Sequence, residues 1–199
     1  MLDEISRRVR HYAPAALPVA GLQPEAAVLV PLTRSSAPEL ILTQRSSMLS
    51  THGGEVAFPG GRRDPEDQSL AATALREARE EIGLPDPQVE LLGPLSERLS
   101  LHGIRVTPYV GLVSSGLEYR PNAAEIAAVF SVPLAFFRTD PREVTHRVER
   151  AGQVWLVPGY RYAGYWIWGL TAMMIVELVN LVYDAGIPLQ AGPAGMRSS

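Results

Sequence analysis

Cysteine is missing from all 199 residues, which excludes a disulfide framework, a thiolate zinc site and a cysteine nucleophile. Lysine is missing as well. The 18 basic residues are all arginine, so any anion clamp must be a guanidinium, a group suited to two-pronged phosphate binding. Strong charge of either sign is lacking too: a net charge of −3 offers no attraction to nucleic acid. The longest apolar run, residues 165–176, meets Glu177 well short of the ~20 residues a bilayer-spanning helix needs, so no membrane association is expected. The N-terminal MLDEISRRVRHYAP carries acids at positions 3 and 4 and no long apolar segment; export is therefore not expected, and a cytoplasmic location is. What remains is an ordinary globular composition, 46% hydrophobic and 20% charged, in a chain able to bury about 70% of its unfolded surface. Neither repeats nor a linker divide it, so residues 1–199 are expected to form a single domain, with about 20 N-terminal and about 12 C-terminal residues loosely held. The sequence assigns no oligomeric state.

The stretch around which the chain is organised is 60–84, GGRRDPEDQSLAATALREAREEIGL. Ala71, Ala74, Leu75, Ala78 and Ile82 recur at spacings of three and four, which predicts a helix over 68–82 with one apolar stripe facing a core. Glu77, Glu80 and Glu81 stand at i, i+3 and i+4, so their carboxylates are expected to share a face well over 90° from the stripe and to converge on one spot. Like charges on neighbouring turns want a compensating cation. Oxygen-only ligands favour Mg²⁺ or Mn²⁺. Arg76 and Arg79 offer a plainer alternative, a solvated face of salt bridges in which Arg76 reaches Glu80 at i+4. The entry to the helix favours the metal: Gly60 and Gly61 follow Phe58-Pro59, allow close backbone approach and can offer a carbonyl oxygen to the same ion. Asp64, Pro65 and Asp67 are turn and cap types, and Gly83 followed by Pro85 ends the helix.

These residues resemble the Nudix hydrolases, whose signature is a glycine, five variable residues, a glutamate, seven more, and then Arg-Glu-apolar-x-Glu-Glu-x-Gly-apolar. Residues 76–84, REAREEIGL, match the second half at every fixed position. The first half departs: five residues beyond Gly61 stands Asp67, and eight residues separate it from Arg76. Upstream, Leu42-Thr43-Gln44-Arg45-Ser46, then His52 and Gly54, then Phe58-Pro59-Gly60-Gly61 resemble the extra motif of the coenzyme A diphosphatase branch, except that Ser50 stands where that branch usually has a second arginine. The matched region covers roughly a fifth of the chain, and two linked motifs are more specific than either alone.

Elsewhere the pattern predicts a short helix over 3–12, strands over 25–32 and 39–43 joined as a hairpin, and strands over 89–95 and 105–113. Pro108 in the last of these would favour an edge or a bulge. A strand over 125–130 leads into a short helix at 134–137. Residues 138–152 are charged and read as surface, 153–157 and 162–168 as arms of a hairpin around Pro158-Gly159, and 169–183 as a second helix flanking the sheet. Within that helix Glu177 needs a structural partner if buried, and Met173 and Met174 read as core filling. Strands and helices in this order give an α+β fold, an α/β/α sandwich with a mixed sheet, and the resemblance implies the same.

Hydrolysing a diphosphate anhydride needs a metal against the non-bridging oxygens, a deprotonated water in line and cations for the leaving phosphate. The resemblance implies that Glu77, Glu80, Glu81 and the Gly60 carbonyl hold Mg²⁺ or Mn²⁺, that Glu77 binds metal or takes the water's proton, and that Arg76 orients Glu77. Arg45 and His52 would meet substrate phosphates. Glu125, opening a strand outside the helix, is either a further carboxylate of the site or a solvated strand end. The expected reaction is cleavage of coenzyme A or an acyl derivative into adenosine 3′,5′-bisphosphate and 4′-phosphopantetheine. Two alternatives stay open: a diphosphatase of another nucleoside diphosphate derivative, such as ADP-ribose or a dinucleotide, and a non-catalytic nucleotide-binding module.

Overall fold

In the computed structural model, residues 1–17, 23–48, 53–150 and 152–191 are described. The elements run α1 Leu2–Arg10, β1 Glu25–Arg34, β2 Glu39–Arg45, β3 Val56–Ala57, β4 Gly60–Arg62, α2 Leu70–Ile82, β5 Glu90–Pro94, β6 Arg98–Leu99, β7 Arg105–Ser114, β8 Ile126–Pro133, β9 Val144–Arg150, β10 Gln153–Tyr162, β11 Tyr165–Ile167 and α3 Gly169–Tyr183. Short 3-10 helices cover Asp86–Gln88 and Leu134–Thr139.

The principal sheet is mixed and runs β3-β2-β1-β7-β5, with β4 also on β1, β6 on β7 and β8 on β2. Its spine is a ten-residue parallel ladder of β1 on β7, from Glu25↔Arg105 to Arg34↔Ser114. Strand alternation sorts side chains between two faces. Ala27, Leu29 and Val113 pack under α2 with Ala74, Ala78 and Ile82, whereas Val30, Leu32, Leu40 and Leu42 join Met174, Ile175 and Leu178 of α3 and Ile5 and Val9 of α1. Helices on both faces make the α/β/α sandwich. Strands covered on both faces read as near-continuous apolar runs, as ELILT and EAAVLVPL do.

Some expectations are corrected. The expected hairpin of β1 and β2 is present, antiparallel with Leu32 opposite Leu40, but it is short: β1 gives most of its length to β7, and β2 most of its length to β8. Pro108 lies in the middle of the sheet. The Leu95 N–H donates to the Pro108 carbonyl at 2.8 Å. A residue's N–H and C=O face the same neighbour in a strand, so the missing N–H faces Leu95, in the gap between β5 and β6, and the β1–β7 ladder on the other side loses no bond. The late hairpin is displaced: β10 runs unbroken through Pro158-Gly159, and its partners are β9, inside the charged stretch, and β11. Gly159 is a packing residue there, since a Cβ would collide with the Trp166 ring.

α3 spans the predicted residues. Met173 and Met174 are core, and Glu177 takes the Ser96 N–H at 2.7 Å, the Tyr12 hydroxyl at 3.0 Å and an ion pair with Arg98, all buried or nearly so.

Candidate active site

α2 starts cleanly because the Ser69 hydroxyl accepts the Ala72 N–H at 3.1 Å, and stops because Gly83 adopts φ 66°, a left-handed cap. Between these ends the three glutamates sit at three depths. Glu81 is 3% exposed, Glu77 is half-buried with a side chain 16% exposed, and Glu80 is 53% exposed. The expectation that all three lie opposite the apolar stripe is therefore corrected. At 100° per residue Glu81 falls about 60° from Ala78, on the rim of the buried face, while Glu80 falls about 160° away. Among the described residues no three acidic or histidine side chains stand close enough to form a cation cage as they are.

Glu81 is the meeting point. One carboxylate oxygen takes the Gly60 N–H at 3.1 Å and the other pairs with Arg45 Nη1 at 3.2 Å, so the end of β2 and the start of β4 both close on α2. Burial pushes the Glu81 carboxyl up to about 7; the Gly60 N–H and Arg45 pull it down, and the charges of Glu77 and Glu125 push it up again. Gly60 is glycine because a Cβ would strike the β1 backbone at Ala27 and Val28. The ladder bonds on either side, Leu29 N–H to Pro59 and Arg63 N–H to Glu25, make Val28↔Gly60 a pair without mutual hydrogen bonds, so the Gly60 carbonyl points with its N–H toward the Glu81 side.

Glu77 lies against Gly61, where a Cβ would land on its carboxylate, and pairs with Arg76 Nη1 at 2.9 Å. Its carboxyl is also raised, by burial first and then by Glu80 and Glu125, against the opposing pull of Arg76. Arg76 is itself a hub, bonding Asp67 through Nε at 3.1 Å, Glu80 at 3.2 Å and the Arg62 carbonyl at 3.0 Å. Asp67 is buried, receives the Thr73 hydroxyl and the Asp64 N–H, and is held down at about 2, chiefly by Arg76. Sequence reasoning gave Asp67 only a turn or cap role, and the cap is Ser69. Asking which carboxylate would anchor the arginine of the REAREE string would have found it.

Glu125 sits just before β8. Its charge acts on both Glu77 and Glu81, and its carbonyl takes the Ser46 N–H at 2.7 Å, beside Arg45. Structure thus brings together Arg45, Gly60, Arg76, Glu77, Glu81 and Glu125, with Glu80 on the outer rim. His52 lies outside the described residues.

The NUDIX domain family model matches residues 23–156, and the chain belongs to the Nudix hydrolase family. It is a hydrolase of diphosphate bonds in nucleoside diphosphate derivatives. The chain is 46% identical over 157 residues to a protein of Photorhabdus laumondii named Uncharacterized Nudix hydrolase NudL, covering 79% of this chain and 84% of that one. A Klebsiella pneumoniae protein of the same name is 42% identical over 181 residues, covering 89% and 92%. Among solved structures, a MutT/nudix family protein from Enterococcus faecalis superposes with a TM-score of 0.55 at 15% identity, covering 92% of this chain and 74% of that one, a likeness of fold alone.

Proposed function

We propose that the protein hydrolyses the diphosphate of coenzyme A or its acyl derivatives, giving adenosine 3′,5′-bisphosphate and 4′-phosphopantetheine or its acylated form, with Mg²⁺ or Mn²⁺. The observation that carries this reading is that Arg45 of the LTQRS segment and Gly60 of the FPGG segment meet on one carboxylate, Glu81 of the Nudix helix. The two motifs whose conjunction marks the coenzyme A branch are thus one site.

The donor set fits a hard divalent ion. Every ligand is oxygen, and four carboxylates, Glu77, Glu80, Glu81 and Glu125, face two guanidiniums, of which Arg76 is shared with Asp67. That leaves negative charge for a cation to neutralise. Glu81, Glu77, Glu80 and the Gly60 carbonyl would hold it. When bound, such an ion neutralises non-bridging phosphate oxygens and makes water easier to deprotonate. Arg76, pinned by Asp67, keeps the Glu77 carboxylate turned to the Gly61 side of the site. Glu77 or Glu125 takes the water's proton. Arg45 is a quarter exposed and can exchange Glu81 for a substrate phosphate, the kind of anion a guanidinium grips best. His52 would also meet the substrate phosphates. The substrates are small intracellular nucleotides, in keeping with a cytoplasmic protein.

Incubation of the pure protein with Mg²⁺ and coenzyme A, ADP-ribose or reduced NAD, with products identified by mass, tests the reading. Adenosine 3′,5′-bisphosphate from coenzyme A is the expected product. Preferred cleavage of ADP-ribose or NADH would overturn the coenzyme A assignment while leaving the diphosphatase.

A further inference from the structure

The connection between β7 and β8 runs over the C-terminal end of α2 and takes two of its free carbonyls: Arg120 N–H donates to Ile82 at 2.9 Å and Asn122 N–H to Glu81 at 2.9 Å. Asn122 then makes a turn of its own. Its carbonyl accepts the N–H groups of Glu125 at 2.9 Å and Ile126 at 2.8 Å, and its side-chain oxygen accepts the Ala124 N–H at 3.2 Å. One group is left over, the side-chain NH₂, and it donates to Glu125 Oε1 at 3.2 Å. A single residue is therefore bonded to the backbone of one site carboxylate, Glu81, and to the side chain of another, Glu125.

We propose that Asn122 is a positioning residue that holds the Glu125 carboxylate facing the α2 glutamates. The proposal rests on the reading of Glu125 as a working member of the site. Turn formation alone needs the acceptor oxygen and the backbone of Asn122. It does not need the NH₂, which binds only one of the two Glu125 oxygens and leaves the carboxylate a second with which to act. The turn and the aim of Glu125 can accordingly be separated by chemistry at one atom.

Asn122→Asp keeps the acceptor for Ala124 and so keeps the turn, but replaces the donor to Glu125 with a second carboxylate oxygen. With the hydrolysed member of the panel above and saturating Mg²⁺, kcat is expected to fall about tenfold with KM within twofold, since misaiming a reacting group costs rate rather than binding. Thermal stability should stay within a few degrees of wild type. In a Glu125→Gln background the same substitution should have no further effect on kcat, a coupling that a purely structural role would not produce. Should Asn122→Asp fold poorly, Asn122→Ser, which also offers an oxygen to the turn and is too short to bond Glu125, carries the same expectations. Unchanged kcat in the Asn122 variants beside an impaired Glu125→Gln enzyme would overturn the proposal alone. Equal losses in both backgrounds would also overturn it. A fully active Glu125→Gln enzyme would remove the role given to Glu125, and the proposal with it.

Discussion

Two buried glutamates, on helices packed against opposite faces of the same sheet, have been given opposite surroundings. Glu177 of α3 pairs with Arg98, whose side chain is as buried as its own, and its oxygens are filled by the Ser96 N–H and the Tyr12 hydroxyl. Glu81 of α2 is buried more deeply, yet its guanidinium partner, Arg45, reaches solvent, and two further carboxylates, Glu77 and Glu125, press their charge on it. One arrangement is neutral and largely shielded from solvent; the other is open and short of positive charge. On the proposed function, the difference separates an ion pair that holds the fold from one that would give way to an ion and a phosphate.

Breaking each in turn sharpens the contrast. Glu177→Ala leaves Arg98 buried without its counter-ion and should cost about 3–5 kcal/mol of stability, read as a fall of roughly 10 °C in Tm, with kcat per folded molecule unchanged. A loss of activity without a loss of stability would make Glu177 part of the site. Glu81→Gln should behave the other way: at saturating Mg²⁺ kcat drops about a hundredfold, worth about 2.7 kcal/mol, while the metal-free protein melts no lower than wild type. A loss of only a few-fold would count against a metal role for Glu81. The neighbouring glycines make a finer pair. Gly61→Ala places its methyl on the Glu77 carboxylate and should lower kcat about tenfold with modest change in Tm, whereas Gly60→Ala strikes the β1 backbone and should cost stability as well as kcat. An unchanged kcat in Gly61→Ala would show that Glu77 does not depend on the Gly61 approach.

Much of this was legible in the residues. The helix, its glutamates, Arg76 reaching Glu80, the partner Glu177 requires and the span of α3 follow from periodicity and from the cost of burying charge. Depth around the helix did not follow, because a period of 3.6 fixes angles between side chains but not how far the covering loop and strands climb around them; Glu81 is buried by β2, β4 and the β7–β8 connection, none of which the local sequence announces. Long-range pairing was hidden for the same reason. β1 looks like half of a hairpin from its neighbours in sequence, but its main partner, β7, starts 80 residues later in register, Glu25 opposite Arg105. Asp67 escaped because it was compared with a glutamate in a signature rather than with the arginine it has to hold.

The smallest expected effect concerns proton linkage. Burial pushes the Glu81 carboxyl from its ordinary 4.5 up to about 7, so the fold binds this proton more tightly than the unfolded chain does. Its contribution to stability is therefore fully present below about 4.5 and is lost as pH rises through about 7. Glu77, also raised, adds with the same sign. Asp67 has the opposite sign but outside this window: held at about 2 against an ordinary 3.8, it stabilises at higher pH and loses its effect only as pH falls from about 4 toward 2. In EDTA the Tm should accordingly decline by a few degrees from pH 5 to pH 7.5, and Glu81→Gln should flatten most of that slope. Mg²⁺ should reverse it, because ligation requires the ionised carboxylate and strengthens as the proton leaves. A flat wild-type profile in EDTA, unmoved by Glu81→Gln, would mean that the charge on Glu81 is already balanced in the free protein, and the contrast with the neutral pair at Glu177 would disappear.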